Sequence, residues 1–262
     1  MFNNKTILIT GGTGSFGQEC TKFLLSNYNL KKLIIYSRDE NKQYLMAQKY
    51  NQKNIRYFIG DVRDYDRINM AMREVDFVIH AAALKHVPIA EYNPIECIKT
   101  NIYGAQNIIQ ASINCKVKKV IALSTDKATN PINLYGASKL ACEGYINAYS
   151  ECYGIKSIIF RFGNVYGPNG SHKKGVVNKF IRNSISTQNH IVYGSTNSSR
   201  DYIHVNDICE AIKLGINHFD SMKFNSEVFH LANFEEITIS ELIKIISKVS
   251  RKKTSIDVNN AR

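Results

Sequence analysis

The stretch Thr6-Ile7-Leu8-Ile9-Thr10-Gly11-Gly12-Thr13-Gly14-Ser15-Phe16-Gly17 decides the fold. A continuously apolar run of strand character ends in a turn with glycines at 11, 14 and 17, and a helical stretch from Phe16 to about Asn27 follows. Glycines at such a turn let the backbone approach a pyrophosphate, and the helix opening behind them aims its N-terminal N–H groups at the charge. Strand before, helix after and N-terminal position agree, so the segment reads as a dinucleotide site rather than a structural turn. Gly11, Thr13, Gly14, Ser15, Phe16 and Gly17 are its candidate residues.

The alternation continues outward. Apolar strand runs at 33–36, 55–59, 77–80, 119–123 and 157–161 are separated by helical patterns at 39–50, 65–73, 93–113 and 135–152. Strands apolar throughout, rather than at every second residue, are those buried on both faces of a parallel sheet. The expectation is an α/β chain, a Rossmann-type doubly wound parallel sheet. After Arg161 the rhythm breaks. A turn at Gly167-Pro168-Asn169-Gly170-Ser171 precedes a helix at 176–185, a short strand at 190–193 and a helix at 206–219 with Asn206 or Asp207 near its cap. A strand at 228–231 and a helix at 240–249, capped by Ser240 with Glu241 in its first turn, complete the pattern. Residues 1–165 thus read as a nucleotide-binding domain, and 166–262 as a smaller C-terminal substrate lobe interleaved with the sheet.

Composition excludes several classes. The 262 residues are 44% hydrophobic and 21% charged, enough apolar material for a sizeable core and too large for a disulfide-stapled scaffold. The net charge is +12, but Lys and Arg are scattered rather than striped along one element, so the chain reads as binding small anions rather than nucleic acid. The six Cys form no C-x-x-C pair and read as buried thiols of a reducing compartment. The seven His have no metal-ligand spacing, so no metal is expected. Met1-Phe2-Asn3-Asn4-Lys5 runs straight into the first strand without a signal peptide, and no apolar run approaches a membrane span. A soluble, cytoplasmic protein with no membrane partner is expected.

The end of the second strand chooses the dinucleotide. An acidic residue there would hold the free 2′-hydroxyl of NAD. Tyr36-Ser37-Arg38-Asp39 stands there instead. Ser37 and Arg38 suit a 2′-phosphate, which favours NADP over NAD, while Asp39 reads as the cap of the following helix. Asp61 and Val62 would flank the adenine. His80-Ala81-Ala82-Ala83 keeps small residues where a cofactor must lie close, with Lys85 just beyond. Tyr135 and Lys139 share a helix face at i, i+4, and a nearby ammonium lowers a phenol pKa, fitting Tyr135 to act as a base. Thr125, Asp126 and Lys127 stand at the C-terminal end of a strand, where open parallel sheets place their ligands.

These segments carry a resemblance. The chain resembles the extended short-chain dehydrogenase/reductase superfamily over essentially its whole length. From about residue 5 to 150 it looks like the nucleotide-sugar 4,6-dehydratases, closest in pattern to UDP-N-acetylglucosamine 4,6-dehydratases that invert C5. The carrying segments are Ile9 to Gly17, Tyr36-Ser37-Arg38-Asp39-Glu40, Gly60-Asp61-Val62-Arg63-Asp64, His80-Ala81-Ala82-Ala83-Leu84-Lys85 and Leu123-Ser124-Thr125-Asp126-Lys127. The resemblance implies that Tyr135 takes the proton of the sugar 4-hydroxyl while hydride passes from C4 to NADP. Lys139 would tune Tyr135 and hold the nicotinamide ribose, and Thr125 would bond the 4-oxygen. Lys127 would remove the C5 proton, Asp126 would protonate the leaving 6-hydroxyl, and hydride would return to C6. The Asp-Lys pair is what a dehydratase adds to a 4-epimerase.

The second half, through Arg161-Phe162-Gly163-Asn164-Val165-Tyr166-Gly167-Pro168 and Ser199-Arg200-Asp201-Tyr202-Ile203-His204-Val205, looks more like nucleotide-sugar 4-epimerases. There the pattern implies that Asn164 and Arg200 bind the UDP diphosphate, with Lys85 a further phosphate ligand. It also implies a homo-oligomer, a dimer or larger, paired through the helices around 93–113 and 135–152. Relatives usually continue beyond Ser255-Ile256-Asp257-Val258-Asn259-Asn260-Ala261-Arg262, so the substrate lobe reads as cut off. The expected activity is a UDP-N-acetylglucosamine 4,6-dehydratase of surface polysaccharide or glycan synthesis. The rivals are a UDP-hexose or UDP-HexNAc 4-epimerase and a non-catalytic NADP-binding regulator.

Overall fold

The computed structural model describes residues 2–170, 175–252 and 255–259. Of the stretches quoted above, Met1, Ser171, Asn260, Ala261 and Arg262 lie outside the described residues. The chain divides into two compact units, one of Met1–Phe162 with Asn206–Leu231, the other of Gly163–Val205 with Ala232–Arg262.

The first unit is built on β1 (Thr6–Thr10), β2 (Lys32–Ser37), β3 (Ile55–Ile59), β4 (Phe77–His80), β5 (Lys119–Leu123) and β6 (Lys156–Phe162). Between them run α1 (Ser15–Asn27), α2 (Glu40–Lys49), α3 (Tyr65–Ala71), α4 (Val87–Tyr92), α5 (Pro94–Ile98), α6 (Gly104–Asn114) and α7 (Leu134–Tyr153). With a later strand, β10 (Ser226–Leu231), the strands form a seven-stranded sheet in the order β10-β6-β5-β4-β1-β2-β3. Every neighbour pair is parallel. The order reverses between β1 and β4, the point at which such sheets open a crevice beyond their C-terminal edges. β1 and β4 are buried at every residue, as their unbroken apolar runs require.

The second unit contains β7 (Asn164–Tyr166), α8 (Val176–Ile185), β8 (His190–Tyr193), β9 (Ser199–His204), β11 (Glu236–Thr238), α10 (Ile239–Ser250) and β12 (Ile256–Asn259); α9 (Val205–His218) leads back to the first unit. Its strands make a β11-β9-β7 sheet and a β12-β8 pair. Phe180, Val192, Tyr202, Leu242, Ile243 and Ile246 form its core.

Four local readings need correction. The single helix expected over 93–113 is broken: Pro94 starts α5, and a π-helical stretch at Lys99–Tyr103 joins it to α6. α10 is capped by Thr238 rather than Ser240, with Thr238 and Glu241 closing a reciprocal capping box. α9 already begins at Val205, so Asp207 lies inside its first turn. Among the cysteines, Cys20, Cys97, Cys142 and Cys209 are buried, but Cys115 is half-buried and Cys152 exposed.

Candidate functional site

The glycine turn is shaped by close approach. Gly11 has φ +65°, and a Cβ there would stand 3.0 Å from the backbone of Ala82. A Cβ on Gly17 would stand 2.3 Å from the Gly12 carbonyl oxygen, so only glycine lets α1 start this close to the turn. Gly14 caps α1 without any side-chain cap, and the first turn has no acidic residue. The first N–H groups of α1 thus keep their donor capacity, and the Ser15 hydroxyl is buried without a partner among the described residues. A bare helix N-terminus over a glycine cradle fits a dinucleotide pyrophosphate. Phe16 is half-buried in the first turn.

At the end of β2 the Thr13 and Ser37 hydroxyls share a 2.7 Å hydrogen bond. Asp39 caps α2, accepting from the Lys42 N–H at 2.9 Å and pairing with the Lys42 ammonium at 2.9 Å. Its carboxylate is committed to the helix, as its position in sequence suggested. Arg38 is half exposed and reaches Asp61 at 3.5 Å, whereas Arg63 grips Asp61 at 2.7 Å. Burial pushes the Asp61 carboxyl up, but the Arg63 hydrogen bonds and both guanidinium charges together outweigh this and hold it below the ordinary value. Val62 packs into the core and its carbonyl accepts from Asn107, which leaves its N–H as the group that can face an adenine.

Thr10, His80 and the alanines form one hydrogen-bonded corner. The Thr10 hydroxyl accepts from the Ala81 and Ala82 N–H groups at 3.1 and 3.2 Å. Its lone pairs are then filled, so its proton goes to His80 Nδ1 at 2.8 Å. That assigns the hydrogen of the neutral ring to Nε2, which is buried without a partner among the described residues. Burial, helped by the Lys139 ammonium, pulls the His80 pKa down to about 3. Ala83 is half-buried beyond this corner. Lys85 is open to solvent, yet desolvation by the surrounding chain draws its ammonium pKa down.

The chemically richest turn follows β5. Thr125 Oγ donates to Asp126 at 2.9 Å, and the Lys127 ammonium pairs with the same Asp126 oxygen at 3.0 Å. The Thr125 hydroxyl also lies close enough to the Tyr135 phenol to draw its pKa down, α7 bringing Tyr135 back over the turn. Asn133 starts α7 by capping it, accepting from the Gly136 N–H at 2.9 Å. A Cβ on Gly136 would stand 2.4 Å from the Lys127 carbonyl oxygen, so helix and turn are in direct backbone contact. Thr125, Asp126, Lys127 and Tyr135 are therefore one cluster, and Lys139 is buried one turn further along α7.

One electrostatic expectation fails. Tyr135 is pushed up to about 12 rather than down: burial dominates, the Thr125 hydroxyl pulls the other way, and Asp126 adds to the rise. The Lys139 ammonium also acts on neighbouring buried groups, pulling downward on the His80 and Cys142 pKa values. The i, i+4 spacing places the two residues on one face, but burial decides the direction of the phenol's shift.

Sequence reading missed Thr10 and a buried Ser124–Glu143–Arg161 group beneath the turn. A signal for the latter existed. Glu143 falls four residues after Lys139 on the helix, and Arg161 is a charge inside an apolar strand run.

In the second unit Asn164 and Arg200, on paired strands β7 and β9, line a cavity of about 800 Å³ with Lys179, Arg182, Tyr193 and Ser198. Arg200 is exposed and donates to the Ser199 carbonyl at 2.6 Å. The cavity is of the size that holds a small ligand. Among the described residues no group of His, Cys, Asp or Glu could hold a metal, and no helix is long and apolar enough to cross a membrane.

Comparison with known proteins places this geometry. Over 233 residues the chain is 53% identical to the UDP-N-acetylglucosamine 4,6-dehydratase (inverting) of Campylobacter jejuni subsp. jejuni serotype O:2, covering 87% of this chain and 67% of that protein. The X-ray structure of Pen from Bacillus thuringiensis is 34% identical and superposes with a TM-score of 0.86, covering 99% of this chain and 78% of that one. The Thermus thermophilus UDP-glucose 4-epimerase, solved in complex with NAD, is 25% identical with a TM-score of 0.83, covering 98% of this chain and 87% of that one. Residues 7–261 match the family described as polysaccharide biosynthesis protein. The parallel sheet, the cradle and these matches agree: the chain belongs to that polysaccharide biosynthesis family, within the short-chain dehydrogenase/reductase superfamily of nucleotide-sugar dehydratases and epimerases.

Proposed function

We propose that the chain is a nucleotide-sugar 4,6-dehydratase that converts UDP-N-acetylglucosamine to its 4-keto-6-deoxy product for surface glycan synthesis, acting in the cytoplasm as a homo-oligomer. The observation that carries this reading is the contact between Thr125, Asp126, Lys127 and Tyr135 at the end of β5. An epimerase needs only a base and a hydroxyl at C4. The Asp126–Lys127 pair, once the proton between them has passed to Asp126, supplies the second proton donor and acceptor that elimination across C5–C6 requires.

The chain's residues divide the work. Tyr135 takes the proton of the 4-hydroxyl as the phenolate; burial disfavours that form, and the positive charge of a bound oxidised nicotinamide beside it would favour it, while Thr125 donates to the 4-oxygen. Across their 3.0 Å contact the Lys127 ammonium passes a proton to Asp126, which leaves Lys127 as the neutral amine that takes the C5 proton acidified by the 4-keto group and Asp126 as the acid. Asp126 protonates the departing 6-hydroxyl, which leaves as water. A nicotinamide held by these residues would supply reversible hydride transfer, with no net oxidation over the cycle. Lys139 holds the nicotinamide ribose, and Asn164 and Arg200 hold the UDP diphosphate, for which a guanidinium is the apt donor. Lys85 serves as a further phosphate ligand. NADP is the cofactor: Ser37 and the loosely held Arg38 suit a 2′-phosphate, and Asp39 is spent on capping α2.

Purified protein incubated with UDP-N-acetylglucosamine and no reductant should yield a product lighter by one water, and NADPH should bind more tightly than NADH. A product of unchanged mass would make the chain a 4-epimerase. Cofactor binding without turnover of any UDP-sugar would leave the non-catalytic reading.

A further inference from the structure

Glu143 is 2% exposed, and such a carboxylate survives burial only when paired and fully hydrogen-bonded. Here both of its oxygens are engaged. Oε1 accepts from the Ser124 hydroxyl and from Arg161 Nε at 3.1 Å. Oε2 accepts from Arg161 Nε at 3.0 Å and Nη2 at 2.5 Å. The Ser124 N–H in turn donates to the Phe160 carbonyl at 2.7 Å, tying the end of β5 to β6. The remaining Arg161 amine contacts His230 on β10 at 3.4 Å.

The placement of this group is informative. Ser124 directly precedes Thr125, so its hydroxyl is the last side-chain anchor before the Thr125-Asp126-Lys127 turn. Glu143 follows Lys139 by one helical turn and Tyr135 by two, on the same face of α7. The group therefore joins the strand end that carries one half of the candidate machinery to the helix that carries the other. Stability does not explain it, because a buried ion pair barely recovers its desolvation cost and a packed apolar pair would serve as well. What an apolar pair cannot supply is a directional bond to the Ser124 hydroxyl.

We propose that Glu143, oriented by Arg161, is a positioning residue whose hydrogen bond from Ser124 fixes the Thr125-Asp126-Lys127 turn in register with Tyr135 and Lys139. The role rests on the dehydratase reading above for what the register serves. Misplacement of reacting groups by about 1 Å can cost up to about 100-fold in rate.

The decisive variants are Ser124→Ala, Ser124→Thr and the double change Glu143→Leu with Arg161→Met, which removes both charges together. Single removal of Glu143 would strand the Arg161 charge and risks the fold, so it is avoided. With UDP-N-acetylglucosamine as substrate, Ser124→Ala and the double variant should lower kcat about 10- to 100-fold with KM changed less than about 2-fold. Ser124→Thr, which keeps the hydroxyl, should recover most of the loss. Reduced cofactor should accumulate on Ser124→Ala, because C4 oxidation rests chiefly on Tyr135 and Lys139 of α7, whereas C5–C6 elimination rests wholly on Asp126 and Lys127 of the displaced turn. Wild-type kcat in both Ser124→Ala and the double variant, alongside an active wild type, overturns the positioning role and leaves the dehydratase reading standing. A wild type that turns over no UDP-sugar sinks that reading instead. Crystal structures of wild type and Ser124→Ala then decide positioning alone: a displaced 125–127 turn supports it, and superposable turns overturn it.

Discussion

In the first unit β1 and β4 are buried at every residue, while in the second β8 alternates buried and exposed positions and β12 is exposed along its whole length. The difference extends to what shapes each candidate site. The cradle of the first unit is backbone against backbone: Gly11 against Ala82, Gly17 against Gly12, Gly136 against Lys127. The cavity of the second unit is lined by side chains on short strands and one amphipathic helix. Backbone contact fixes a site rigidly and tolerates no added atom, whereas a wall of side chains can be retuned residue by residue. Sequence changes should therefore cost far more in the first unit than in the second.

The largest expected effect tests the tight backbone contact. Gly17→Ala puts a Cβ 2.3 Å from a carbonyl oxygen that cannot rotate away. It should destabilise the chain by about 2–3 kcal/mol in urea unfolding and abolish NADPH binding. The control is Gly144→Ala, exposed on α7 with nothing within 4 Å of its Cβ, which should gain about 0.5–1 kcal/mol. Equal behaviour of the two variants would break the distinction between close-packed and open glycines.

The next effect reads the buried corner of the first unit through pH. His80 titrates at about 3 folded against an ordinary value of 6.5, so between those values the unfolded chain carries a proton that the folded chain lacks. Stability is then present above the unfolded value and lost as pH falls toward the folded one, by about 2 kcal/mol from about pH 7 to about pH 5. His80→Gln keeps an amide for Thr10 but has no proton to gain in this window. Its unfolding free energy should fall less steeply with acid than that of the wild type. Parallel pH slopes would show that His80 is not held neutral.

These contrasts also explain what was legible in sequence. β1 through β6 and the glycine turn were readable because buried parallel strands leave unbroken apolar runs, and because only glycine satisfies the contacts at 11 and 17. The short strands β7, β9, β11 and β12 escaped, since partly exposed strands of three to six residues carry no such run. The residue types at 125–127 and 135 and their convergence were readable; the direct backbone contact of Gly136 with Lys127 was not, because it depends on how far α7 returns over the turn. The phenol's pKa went the wrong way for a related reason. Spacing placed Lys139 on the right face, but burial of Tyr135, invisible in a four-residue motif, decides the sign. The break in the long helix was marked by Pro94, a residue that begins a helix more readily than it continues one.

The smallest expected effect belongs to the second unit and probes its most local device. Thr238 caps α10, accepting from the Glu241 N–H at 3.1 Å, while Glu241 accepts from the Thr238 N–H at 2.8 Å. Those bonds, with the Thr238 hydroxyl, draw the Glu241 carboxyl below its ordinary value. Thr238→Ala removes one half of the box and should cost about 1 kcal/mol. Ser240→Ala, at the position where composition alone would set the cap, should cost close to nothing because its hydroxyl lies inside the helix. Chemical denaturation of the two variants compares them directly. If Ser240→Ala proved the costlier, α10 would start two residues later in solution. The core of the second unit, to which Leu242 and Ile243 belong, would then be less ordered than the paired strands around it imply.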